Sequence, residues 1–131
     1  MKPIDVNIYI LNLEEGNEPR IEKMPGQIID DGSDYTPLIH YIGSNDFKVW
    51  YDDFDDCRIG RVHMPLRNII ELVAERDMSD EEAIRRIATF CRAELNRLYR
   101  NVSLFEKGIS VAASELAAIY KEETENELKQ N

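Results

Sequence analysis

The amino-acid sequence predicts an α+β fold: an N-terminal antiparallel sheet of four or five strands packed against two or three C-terminal α-helices. Residues 1–63 alternate apolar and polar positions in short runs, while residues 64–120 repeat apolar positions at helical spacing. The connections between the predicted strands are too short for the long crossovers that parallel strands require. Strands first and helices afterwards is the order of an α+β domain rather than of an alternating α/β fold.

The first strand is read from Ile4, Val6, Ile8 and Ile10, which alternate with Asp5, Asn7 and Tyr9. The alternation shifts phase at Asn12 between Leu11 and Leu13, which predicts the end of the strand or a bulge. Glu14-Glu15-Gly16-Asn17 carries turn chemistry. A short second strand is expected from Pro19 to Met24, stopped by Pro25-Gly26, with another from Gln27 to Asp30. After the polar loop Asp30–Asp34, Leu38–Ile42 reads as a strand. Phe47–Asp52 follows with the strong β formers Phe47, Val49, Trp50 and Tyr51. Asp53–Asp56 is placed at a hairpin tip and Cys57–Val62 on the returning strand.

Pro65 suits the first position of a helix, and Leu66, Ile69, Ile70 and Val73 then follow i, i+3, i+4, i+7. A second helix opens at the capping box Ser79…Glu82 and runs to about Asn101. Its apolar stripe is Ile84, Ile87, Ala88, Cys91, Leu95 and Leu98. A third opens at Ser103…Glu106, with Phe105, Ile109, Ala112, Leu116, Ile119 and Tyr120 on one side. Gly108 weakens its first turns by about 1 kcal/mol relative to Ala. The expected organisation is one domain over residues 1–131, with a sheet half (1–63), a helical half (64–120) and a polar tail (121–131). The predicted core comprises Ile8, Ile10, Val49, Ile69, Val73, Ile84, Ile87, Leu95, Leu98 and Leu116.

With 43% hydrophobic residues the chain has the composition of a globular domain, and its formal net charge is −10. Residues 1–60 carry 13 acidic and five basic side chains, so the acidity sits mainly in the first half and most arginines in the second. A phosphate backbone repels such a chain, and direct nucleic-acid binding is not expected. No apolar run is long enough to span a bilayer. The N-terminus has no signal-peptide pattern, and the two cysteines do not make a disulfide framework. A cytoplasmic protein without membrane contact is expected.

The densest charge cluster is Asp52, Asp53, Asp55 and Asp56 around Phe54, next to Trp50 and Tyr51. Aromatic groups ringed by charges resemble the usual layout of interface hot spots, so these seven residues are the candidate partner-binding surface. The plainer reading is a solvated hairpin tip whose charges discourage edge-to-edge pairing. The second candidate is the arginine set Arg85, Arg86, Arg92, Arg97 and Arg100, whose guanidinium forks match phosphate oxygens. Its plainer reading is a solvated helix face with weak ion pairs. Asp30, Asp31 and Asp34 form a second acidic loop, best read as turn chemistry.

Other chemistries find less support. Residues 69–87 superficially suggest a helix-turn-helix, but Asp80-Glu81-Glu82 would face the phosphates and instead suit the positive end of a helix dipole. No catalytic signature surrounds Cys57, Cys91, His40 or His63; Cys91 reads as core and His63 as a helix-boundary residue. The scattered glycines make no phosphate loop, and the glutamates after Lys121 read as a solvated tail. The expected function is that of a small acidic binding protein, an inhibitor or neutralising partner of a basic protein such as a nucleic-acid enzyme. Electrostatic complementarity would speed such an association. The alternative is a binder of an anionic nucleotide or phosphate through the arginine helix, and a further one is a carboxylate–metal hydrolase. No cofactor is expected, and a homodimer is expected on general grounds.

Overall fold

Among the described residues, strands extend as far as Glu75 and helices begin at Asp80. The computed structural model describes residues 4–29, 38–41, 47–49, 59–98 and 102–130. Six strands, β1 (Ile4–Asn12), β2 (Ile21–Ile29), β3 (Leu38–Tyr41), β4 (Phe47–Val49), β5 (Val62–Leu66) and β6 (Ile69–Glu75), precede α1 (Asp80–Leu98) and α2 (Val102–Gln130). They form one sheet in the order β4-β3-β2-β1-β6-β5, with every neighbouring pair antiparallel. β1 to β4 are a meander. The β5–β6 hairpin attaches to the free side of β1, which makes β1 central.

This architecture corrects the predicted one: the described residues hold six strands in the sheet rather than four or five, and the segment read as the first helix is the β5–β6 hairpin. Pro65 fits an edge strand as well as a helix start, because an edge residue needs no ladder N–H, and the β5 register shifts between His63 and Leu66. Arg67 and Asn68 form a two-residue turn closed by the Leu66–Ile69 pair. Asn68 takes φ 67°, a left-handed conformation that Asn tolerates, and its carbonyl accepts the Leu13 N–H at 2.8 Å. Ile70 to Ala74 are buried without interruption, so β6 shows no alternation that would have separated it from a buried helix.

β2 is likewise one strand, not two short ones split at Pro25-Gly26. Among the described residues β3 pairs with β2 from Gly26 to Ile29, and Pro25 lies opposite Asn7 of β1. The phase shift near Asn12 also resolves. β1 is buried on both faces, with Val6 and Ile8 on one and Tyr9 and Leu11, followed by Leu13, on the other. The helices pack on the Tyr9–Leu11–Leu13 face, together with Ile70, Leu72 and Ala74 from β6. Val6, Ile8, Ile28 and Val73 form a separate cluster on the opposite face, joined by Ile10, Met24 and Ile59. Of the predicted core, Ile8, Val73, Ile84 and Ile87 are buried, while Ile10, Ile69, Leu95 and Leu116 are half-buried. Val49 and Leu98 lie in strand and helix, but their side chains are outside the described set.

α1 begins where the Ser79 hydroxyl accepts the Glu82 N–H at 3.1 Å. Ala83, Ile84, Ile87, Ala88 and Cys91 form its buried stripe. α2 begins at Val102, so Ser103 lies inside the helix rather than capping it. Phe105 meets Phe90 of α1 edge to face, with centroids 6.4 Å apart. Gly108 is buried where α2 packs close against α1 and the end of β1: a Cβ there would stand 2.7 Å from Cys91 Sγ and 3.6 Å from a Leu13 methyl. The residue that sequence reading treats as a weak helix former is what lets three elements meet. The segment read as a polar tail continues α2 as far as Gln130, with residues 121–129 exposed. No helix among the described residues is long and apolar enough to cross a membrane.

Candidate functional site: an acidic groove at the end of the helical hairpin

α1 has 19 residues and α2 has 29, so at 1.5 Å per residue they measure about 28 and 43 Å. They form a hairpin in which the start of α1 faces the later half of α2. At that end lies a groove of about 350 Å³, lined by Ser79, Asp80 and Glu81 on one side and by Ile119, Glu122, Glu123 and Asn126 on the other. The four α2 residues recur at i, i+3, i+4, i+7 and therefore share one helix face. The lining is a half-buried isoleucine among four carboxylates.

Two of those carboxylates are compensated from within. Asp80 accepts the Tyr9 hydroxyl at 2.7 Å and Lys23 Nζ at 2.9 Å, and Lys23 also lies 5.7 Å from the centre of the Tyr9 ring. The Lys23 hydrogen bond, followed by that from Tyr9, holds the Asp80 carboxyl below its ordinary range. Burial, and then the Asp80 carboxylate, push the Tyr9 phenol well above its own. Glu81 pairs with Arg85 at 3.1 Å and accepts the Tyr120 hydroxyl at 3.0 Å, and Arg85 also bonds to that hydroxyl. The hydrogen bond to Glu81 raises the Arg85 pKa. Glu122 and Glu123 are exposed, and no ion pair reaches either among the described residues. The following exposed turns add Glu125 and Glu127, against Lys121 and Lys129.

Most of the predicted site residues lie outside the described set. Trp50, Tyr51, Asp52, Asp53, Phe54, Asp55 and Asp56 lie outside the described residues, as do Asp30, Asp31, Asp34, Cys57 and Arg100. Arg85, Arg86 and Arg92 are exposed on α1, and Arg97 belongs to the same helix by its backbone. Arg85 and Arg86, neighbours in sequence, serve different elements. Arg85 turns to Tyr120 of α2, whereas Arg86 pairs with Glu82 at 2.9 Å and donates to the Gly60 carbonyl at 2.8 Å. Gly60 holds φ 92°, and a Cβ there would stand 2.6 Å from the Arg86 guanidinium. The two guanidinium groups are thus engaged by different elements, Arg85 by α2 and Arg86 by the Gly60 turn.

His63 is not at a helix boundary. It sits in β5 opposite Glu71 of β6, with Nε2 3.7 Å from a carboxylate that is 1% exposed. Burial pushes the Cys91 thiol up to about 11, which suits a core residue and not a nucleophile. No three His, Cys, Asp or Glu side chains gather as a metal-binding group among the described residues.

Sequence reading found the acids of the groove but not their meeting, because Asp80 and Glu122 are remote in the chain. The available signal was the short connection between two helices, which makes them antiparallel and brings the start of one to the later part of the other. Comparison with family models, curated proteins and solved structures finds no match to this chain.

Proposed function

We propose that this protein is a small acidic binding protein whose partner is a basic macromolecule, in the manner of an inhibitor or neutralising partner of a basic protein. The observation that carries the reading is the groove between α1 and α2. Its outer wall presents Glu122 and Glu123 without internal counter-charges among the described residues, and Glu125 and Glu127 extend the same acidic surface. A groove with one half-buried isoleucine among carboxylates suits a partner that presents Lys or Arg side chains around a small apolar contact. The run Asp52, Asp53, Asp55 and Asp56 with Trp50, Tyr51 and Phe54 is proposed as a second docking element of the same kind. The divergent engagement of Arg85 and Arg86 supports this reading over an anionic nucleotide bound on α1.

Thermal melting at low ionic strength separates the two ligand classes, since a ligand of the native state raises the melting temperature by mass action. A Lys-rich peptide is expected to raise it for the native chain and to raise it less for the Glu122→Lys/Glu123→Lys variant, while millimolar nucleotides leave it unchanged. A nucleotide-induced rise that is lost in Arg86→Ala or Arg92→Ala would overturn the proposal in favour of an anion-binding protein.

A further inference from the structure

We draw no further inference here: the strongest candidate, the acidic groove where the N-terminus of α1 meets the later half of α2, belongs to the site already described.

Discussion

Gly108 shows how one missing side chain sets the packing of three elements. In an isolated helix Gly108→Ala would gain about 1 kcal/mol of propensity. Here the new methyl meets the Cys91 sulfur and the methyl groups of Leu13 and Leu11. Overpacking of this kind costs typically about 1–3 kcal/mol. Urea unfolding is expected to find Gly108→Ala less stable than the native chain, and a gain in stability would refute the close approach. Tyr9, Asp80 and Cys91 each make stability depend on pH. The Asp80 carboxyl is lowered in the folded state, so its contribution is present above the unfolded value of 3.8 and is lost as pH falls through the depressed folded value. The Tyr9 phenol and Cys91 thiol are raised, so their contributions are present below the unfolded values of 10.0 and 9.0 and are lost as pH rises through the folded ones. Tyr9→Phe is expected to cost roughly 1 kcal/mol at neutral pH, because the half-exposed Asp80 regains water as its phenol donor disappears. It should also flatten the loss of stability above pH 10.0, leaving the part that begins near pH 9.0. An unchanged alkaline limb would show that the buried phenol does not contribute.

Elements differ in how far their sequences declared them. α1 was legible in its start and its buried stripe, since Ser79 and the spacing from Ile84 to Cys91 are local signals. β5 and β6 were not legible. Leu66, Ile69, Ile70 and Val73 satisfy a helical period, and β6, buried on both faces, has no alternation to set against it. The deciding residue is Asn68, whose positive φ closes a two-residue hairpin and lets its carbonyl bind the Leu13 N–H. Asn68→Gly is expected to leave stability within a few tenths of a kcal/mol. Asn68→Val should lose about 1–2 kcal/mol, because a β-branched residue resists left-handed backbone. Equal melting temperatures for the two variants would argue against the hairpin. The acidic groove was illegible for a related reason. Asp80-Glu81-Glu82 already had a sufficient local role at the helix start, and Glu122–Glu127 read as solvent-facing tail, so only the antiparallel pairing of the helices unites them.

On the scale of the whole molecule, charge and topology point the same way. The net charge is −10, and the first-turn acids of α1 are each held by a cation: Asp80 by Lys23, Glu81 by Arg85 and Glu82 by Arg86. Further along the helical hairpin, Glu122, Glu123, Glu125 and Glu127 carry no ion pair among the described residues and sit on the outer wall of the groove and the exposed turns of α2. Attraction from exposed groups of this kind is screened over about 8 Å at physiological ionic strength, so docking through them must weaken as salt rises. The most direct measurement is affinity capture by the full chain from its native host, with mass spectrometry of what is retained. Three baits are compared with the native one: Glu122→Lys/Glu123→Lys/Glu125→Lys, Asp53→Lys/Asp55→Lys/Asp56→Lys, and a control reversal, Glu14→Lys/Glu15→Lys, on the β1–β2 turn. The account predicts that the native chain and the control retain the same basic protein, that salt releases it, and that the groove triple loses it while keeping a native circular-dichroism spectrum. Undiminished capture by the groove triple, or capture indifferent to salt, would contradict it.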